Sequence, residues 1–505
     1  MILHLNEKIN RYYVQTLCMV FFPGIRFGEN EEPGPDTPEL TVQLTDEAGG
    51  VRASAQMSFK GESVLCEGTR LFDEKESRDK SIKMAVGAAV IGAGSALFNY
   101  RPSWGMLTGV RPSKLATEMF QDGFSKSRIK KTLTGEYLLL PKKAQLAIDV
   151  SLNEAALIGS PRLSDCSVYV SIPFCPTRCA YCSFVSYTSR KLLNLIPEYL
   201  DKLCSEIRFK FDLIRQLGLS VRTIYIGGGT PTILNESQLA RLLSTIAECW
   251  DVRGLEEFTL ESGRPDTIDG EKLAVAGSFG VNRISVNPQT MNDDILQGIG
   301  RKHSVEDFLR AYEVARNSGI PIINTDLIAG LPGDKFRTFS KSFDRIMALR
   351  PENITVHTLS LKNASELVAR GPEVYSMRGG DTGKCIDYSQ ITCQHEGYVP
   401  YYMYRQKNTV GNYENVGYAL PGTEGRYNIY MMEETHTILA AGAGAVSKLV
   451  DYKPADGGKP VIERLFNSKY PYEYLAEDKF EAQKREIESF YERRRQSLPS
   501  GQEPE

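Results

Sequence analysis

Apolar and polar positions follow two different periods along this chain, and the change between them divides it. Thr41–Thr45 and Val51–Phe59 alternate in polarity on either side of Glu47-Ala48-Gly49-Gly50, which predicts a β-hairpin. Met84 to Tyr100 then runs for seventeen residues without a charge and is rich in Ala and Gly. The run is marginal in length for a bilayer span and only weakly hydrophobic. It therefore predicts a buried helix packed closely on a neighbour, and no membrane span. A turn-rich Arg101-Pro-Ser-Trp-Gly stretch and helices through Lys142–Leu157 complete a mixed N-terminal region, residues 1–160, without a visible catalytic constellation.

From residue 161 the text changes. Strand-like runs at Val168–Ile172, Thr223–Ile226, Glu257–Glu261, Arg283–Val286, Ile322–Ile328 and Ile354–Leu361 alternate with helical periods. The helical periods fall at Ile196–Leu217, Ser237–Cys249, Val305–Ser318 and Phe339–Leu349. Such alternation predicts a parallel sheet with crossover helices, hence an α/β fold over residues 161–365. Residues 366–505 read as a mixed C-terminal region, with a tyrosine-rich run at Tyr398-Val-Pro-Tyr-Tyr-Met-Tyr404. Its Gly442-Ala-Gly444 segment looks like a piece of a dinucleotide loop, but no Rossmann unit surrounds it and a close-packed turn is the better reading. A charged helix is predicted from Tyr474 to Arg495, followed by a disordered tail, Ser497-Leu-Pro-Ser-Gly-Gln-Glu-Pro-Glu505.

Composition narrows the function classes. At 505 residues, 41% apolar and 24% charged, the chain suits two or three globular domains. A net charge of −3 gives no reason to expect a nucleic-acid partner. Ten cysteines in a chain of this length are not a disulfide framework, and the start lacks the apolar core and cleavage site of a secretory signal. A reduced, cytoplasmic location is expected.

The strongest chemical signal is Ser171-Ile-Pro-Phe-Cys175-Pro-Thr-Arg-Cys179-Ala-Tyr-Cys182, three cysteines spaced C-x3-C-x2-C directly after a β-prone run. A tight cluster of thiolates selects zinc, copper(I) or iron–sulfur. Zinc usually takes a fourth protein ligand from a second closely spaced pair. None of the five histidines is spaced with another, and Cys385 and Cys393 are separated by seven residues. Since iron–sulfur clusters normally take four thiolates, a compact trio points to a [4Fe–4S] cluster with one iron open.

C-x3-C-x-aromatic-C, followed by the Gly227-Gly-Gly-Thr-Pro231 turn, resembles the radical S-adenosylmethionine (SAM) superfamily. The surrounding text is similar to its oxygen-independent coproporphyrinogen III oxidase group, nearest to the HemZ-like branch. The resemblance implies a partial (β/α)6 radical SAM barrel, with Cys175, Cys179 and Cys182 as cluster ligands and SAM on the open iron. It places Tyr169, Tyr181, Gly228, Gly229, Thr230, Glu261, Gln289, Arg301, Asp326 and Ser360 around SAM, with Tyr169, Glu261 and Arg301 closest to the chemistry. Arg301 would face the SAM carboxylate, Glu261 its ammonium, and Asp326 and Gln289 its ribose. The implied substrate is a tetrapyrrole, coproporphyrinogen III, two of whose propionates become vinyls with loss of carbon dioxide, giving protoporphyrinogen IX. A flavodoxin- or ferredoxin-like reductant is the other implied partner. Tyr401, Tyr402, Tyr404, Arg405 and Lys407 are either a lid offering cations to the acidic macrocycle or a core stripe, and Lys362 is a further candidate cation. Phe184 stands where the best-known branch has a fourth cysteine, a feature shared with haem chaperones of the same group. A haem-delivery protein and another radical SAM enzyme acting on a tetrapyrrole thus remain as alternatives.

Overall fold

The computed structural model describes residues 1–28, 34, 36–74, 76–109, 111–361, 380–406, 408–452 and 460–497. Lys362, Lys407 and the expected tail from 498 onward lie outside the described residues. The chain forms two compact units: Met1–Leu152 with Thr358–Tyr388 and Met403–Asn415, and Asn153–His357 with Ser389–Tyr402 and Val416–Glu505.

The smaller unit begins with a four-stranded sheet in the order β1 (Ile2–Leu5), β2 (Glu39–Glu47), β3 (Gly50–Phe59), β4 (Glu62–Leu71). The predicted hairpin is β2–β3, where Glu47 pairs with Gly50 around a two-residue turn and Gly49 takes the left-handed backbone such turns need (φ 78°). Helix α2 (Arg78–Phe98) packs on this sheet, and helix α1 (Arg11–Phe21) packs on α2. The uncharged run lies in α2, whose start is capped by Ser77 accepting from the Lys80 N–H. Close packing explains its small residues. A Cβ on Gly68 of β4 would lie 2.3 Å from the Ala85 carbonyl oxygen, and one on Gly94 would lie 2.3 Å from the Phe21 ring. By length and composition α2 would suffice to cross a membrane, but most of its apolar stretch is buried within the fold.

The larger unit is built on a sheet with eleven strands among the described residues. Six strands follow in chain order, β5 (Asp165–Ile172), β6 (Ser220–Gly228), β7 (Glu257–Leu260), β8 (Arg283–Ser285), β9 (Ile322–Ala329) and β10 (Asn353–Thr358). Strands β5 to β9 pair in parallel, as the alternation predicts. Helices Ile196–Gln216, Glu236–Cys249, Gly270–Ser278, Val305–Asn317 and Phe336–Leu349 make the crossovers. Their inner faces are apolar, and Phe211, Phe308 and Phe339 are fully buried, as is Phe258 of β7, each contributing about 1.5–3 kcal/mol by leaving water. Local signals set the helix starts: Asn235 with Gln238, and Ser304 with Asp307, form capping boxes.

The remaining strands extend this sheet on both sides. β11 (Val399–Tyr404) and β12 (Asn415–Ala419) lie beyond β10, with β12 antiparallel to it. β13 (Thr437–Ala441) runs parallel beside β5, followed by β14 (Val446–Asp451) and β15 (Val461–Phe466). Among the described residues the strand order is linear, with β11 and β15 at its two ends. Gly442 and Gly444 form the β13–β14 turn, both with positive φ (99° and 71°). The Gly442 N–H donates to the buried Glu206 carboxylate at 2.8 Å, and a Cβ there would lie 2.6 Å from the Ser171 carbonyl oxygen. It is a close-packed turn. The predicted charged helix is two helices, Pro471–Ala476 and Phe480–Ser497, because Glu477 is extended and Asp478 accepts from the Phe480 N–H.

Candidate cluster and SAM site

The three cysteines stand on the loop that leaves β5. The loop is pinned at its base, where the Cys175 N–H donates to Tyr187 O at 3.0 Å and the Tyr187 N–H to Pro173 O at 2.9 Å. A turn closes its tip, with the Cys182 N–H on Cys179 O at 3.0 Å. The end of β6 lies against it. The Gly229 N–H donates to Ile172 O and the Thr230 N–H to Phe174 O, both at 2.8 Å, and Thr230 Oγ1 is 3.2 Å from Cys175 Sγ. A Cβ on Gly229 would lie 2.5 Å from Phe174 O, so only glycine lets the two segments meet. Gly228 beside it has φ 110°.

All three cysteines are free of disulfides, and Cys175 is buried. Burial pushes the Cys175 and Cys182 thiols up, so both hold their protons until a metal displaces them. Among the described residues no three His, Cys, Asp or Glu side chains gather as they would around a single metal ion. A cubane takes one thiolate per iron, so its ligands stand wider apart than those of a mononuclear site. Three thiols on one pinned loop fit such a cluster.

Arg301 reaches this loop from the segment after helix Asp293–Gly298, where the Ala180 N–H donates to Ile299 O at 3.0 Å. Its guanidinium donates to the Tyr181 hydroxyl from Nε (3.3 Å) and Nη2 (3.1 Å), and to Gly263 O from Nη1 (3.2 Å). Only 8% exposed, it has no carboxylate at ion-pair distance among the described residues. A buried guanidinium with no carboxylate in contact suits an anion. His303, two residues further on, is buried, and burial together with the Arg301 charge lowers its pKa to about 4.

Glu261 follows β7. Its Oε1 accepts from the Tyr225 hydroxyl at 2.6 Å, and a Cβ on Gly227 would lie 2.8 Å from Oε2, so the first glycine of the turn makes room for this carboxylate. Burial raises the Glu261 pKa to about 7; the Asp326 charge adds to the rise, against hydrogen bonds from Tyr225 and the Gly228 backbone. Tyr169 stacks on Tyr225 and Tyr427 (ring centroids 6.2 and 6.3 Å), and Tyr225 on Tyr427 (4.5 Å).

Asp326 lies within β9, and Asn287 follows β8. Asn287 Nδ2 donates to Asp326 Oδ2 at 2.9 Å while the Asp326 N–H donates to Asn287 Oδ1 at 3.1 Å. Gln289 has φ 67°, and its backbone accepts from the Ile328 N–H and donates to Asp326 O (2.9 and 3.0 Å). A left-handed glutamine beside the other site residues is the kind of strain that clusters at functional sites.

Nine of the ten residues expected around SAM thus lie in the larger unit, in β5, β6 and β9 or on the segments that follow β5 to β8. Ser360 stands in the smaller unit, bridged to Thr409. Tyr401 and Tyr402 are buried core residues. Arg405 is not offered as a cation: buried in the smaller unit, it donates to Leu107 O and Asn412 Oδ1, each at 2.5 Å. Sequence reasoning missed Tyr225, Asn287 and Tyr427. Tyr225 had a signal, since it sits three residues before Gly228 on a strand and pairs in register with Tyr169.

The model of the radical SAM superfamily matches residues 169–346. The oxygen-independent coproporphyrinogen-III oxidase-like protein HemZ of Bacillus subtilis is 37% identical over 478 residues, 93% of each chain. The heme chaperone HemW of Lactococcus lactis is 32% identical over 288 residues, 57% of this chain and 71% of that one. Among solved structures, the coproporphyrinogen III oxidase HemN of Escherichia coli aligns at 22% identity with a TM-score of 0.49, covering 66% of this chain and 73% of that one. The superfamily's cofactors are a [4Fe–4S] cluster and SAM, and its members need a reductant. With its cysteine loop, glycine turn and parallel strands on one unit, and its likeness to HemZ along nearly its whole length, the chain belongs to the radical SAM superfamily, on the HemZ-like branch of the oxygen-independent coproporphyrinogen III oxidase group.

Proposed function

We propose that this protein is a cytoplasmic coproporphyrinogen dehydrogenase, which oxidatively decarboxylates two propionates of coproporphyrinogen III to vinyls. The observation that carries this reading is likeness to HemZ over 93% of both chains, with the cysteine loop, Glu261 and Arg301 on one unit. Cys175, Cys179 and Cys182 hold the cluster, which supplies the electron for reductive cleavage of bound SAM. Arg301 takes the SAM carboxylate, since a planar guanidinium without a carboxylate partner suits one. Glu261 takes the ammonium. Asp326 and Gln289 hold the ribose hydroxyls, Gly228, Gly229 and Thr230 present backbone groups, and Tyr169 and Tyr181 wall the site against water. A tetrapyrrole and an external one-electron donor of the flavodoxin or ferredoxin type complete the reaction.

The test is anaerobic incubation of the reconstituted chain with SAM, a low-potential reductant and coproporphyrinogen III. Vinyl products with one carbon dioxide released per vinyl are expected. Phe184 and the likeness to HemW favour haem carriage as the second reading. Stoichiometric haem retention without turnover would replace the first reading by the second, and a ring-opened or methylated product would replace both.

Glu261 makes SAM binding pH-dependent. Its acid form predominates in the SAM-free fold below about 7, whereas an unfolded glutamate ionises near about 4.3. The stability this group lends the SAM-free protein is therefore present at low pH and lost as pH rises through its folded pKa. SAM binding runs the other way, because the ammonium requires the carboxylate. Affinity in the cluster-loaded protein should fall roughly tenfold per pH unit below about 7, while Glu261→Gln binds more weakly with a flat profile. A flat wild-type profile would remove Glu261 from the ammonium site.

A further inference from the structure

Arg264 is a second buried guanidinium beside the cysteine loop, 4% exposed and unused by the roles above. Its Nε and Nη2 grip Asp266 Oδ1 and Oδ2 at 3.0 and 2.9 Å, a bidentate pair. Nη1 points the other way, to Thr177 O at 3.2 Å and Cys179 Sγ at 3.8 Å. Both acceptors belong to the loop that carries the three thiols. The arm is braced from behind: Thr267 Oγ1 donates to Arg264 O at 2.9 Å, and Thr232 Oγ1 meets Thr267 Oγ1 at 2.7 Å. Arg301 is oriented differently, toward Tyr181 and Gly263 O.

We propose that Arg264 is a positioning residue for the cluster, an N–H donor to the Cys179 sulfur that raises the cluster's reduction potential. An iron-bound thiolate keeps negative charge, and taking one electron from an external donor adds one more negative charge to the cluster. No bond to the protein forms or breaks. An N–H···S hydrogen bond and a nearby buried cation stabilise the reduced form more than the oxidised one, so the potential rises. Asp266 fixes the guanidinium in place and, by its own charge, limits the rise. This acts on a cofactor the family shares, so it stands whether the substrate is coproporphyrinogen or another tetrapyrrole.

The test is a mediated dithionite titration of the anaerobically reconstituted full chain without SAM, read by the EPR signal of the reduced cluster. Arg264→Met should lower the reduced-to-oxidised ratio at a fixed potential about tenfold, equivalent to about 59 mV for one electron. Asp266→Asn, whose amide oxygen still accepts from Arg264, should raise that ratio. Opposite signs at wild-type iron and sulfide content support the proposal, since mere loosening of the loop would move both variants alike. A fully loaded Arg264→Met with the wild-type midpoint, or shifts of one sign in both variants, would overturn it. If Arg264→Met takes up no cluster, Arg264→Lys replaces it, because one amine cannot serve both Asp266 and Cys179. A drop of about threefold is then expected, and an unchanged midpoint would overturn the proposal.

Discussion

Alanine at Cys179 is expected to abolish reductive cleavage of SAM, lowering 5′-deoxyadenosine formation by more than about a thousandfold, or about 4 kcal/mol of barrier. Cys179 is the central thiol of the trio, and the loop offers nothing in its place: Thr177 and Arg178 on one side and Ala180 and Tyr181 on the other bring no soft ligand. Cys166 and Cys204 are fully buried, in β5 and in helix Ile196–Gln216, and burial pushes the Cys166 thiol well up. The backbone should survive the change. Its turn is held by the Cys182 N–H on Cys179 O and the Ala180 N–H on Ile299 O, which the substitution keeps. Iron content and the EPR signal after reduction should fall together with cleavage. A Cys179→Ala protein that still cleaves SAM would refute the ligand assignment.

Methionine at Arg301 should weaken SAM binding about a hundredfold, since losing hydrogen bonds to a charged group costs about 1.5–3 kcal/mol. The buried guanidinium has its Nε and Nη2 on the neutral Tyr181 hydroxyl and its Nη1 on a backbone carbonyl, and among the described residues no carboxylate is in contact with it, although the Asp266 charge acts on it from further off. An incoming carboxylate would supply the missing partner. Arg301→Lys keeps a point charge without the fork and should recover part of the loss, to about tenfold weaker than wild type. Equilibrium dialysis of cluster-loaded proteins at matched iron content measures both. Affinity within about threefold of wild type in Arg301→Met would assign the carboxylate elsewhere.

The parts of the site legible in the sequence are those that lie close together along the chain. Cys175, Cys179 and Cys182 share one loop, and Gly227 to Thr230 follow a strand whose apolar run is plain. The family resemblance supplied Glu261, Gln289, Arg301 and Asp326, whose neighbours are otherwise set by strand order. Arg264 was invisible because the sulfur it touches is 85 residues away, and Tyr427 because its stack joins rings from β5, β6 and a later helix. The placement of β13 was equally hidden. Thr437–Ala441 is a short apolar run, and its periodicity carries no record of which strand it will border. The charged segment from Tyr474 read as one helix, since periodicity does not reveal that Glu477 leaves the helical region.

That late strand bears on how the protein comes off the ribosome. β5 carries the cysteine loop, and its two neighbours are β6, close behind it, and β13, where Val168 faces Leu439. While the nascent chain is shorter than that, β5 presents a bare hydrogen-bonding edge of the kind that invites wrong pairings. The strand that carries the cysteine loop therefore gains its second neighbour only once synthesis has passed Ala441.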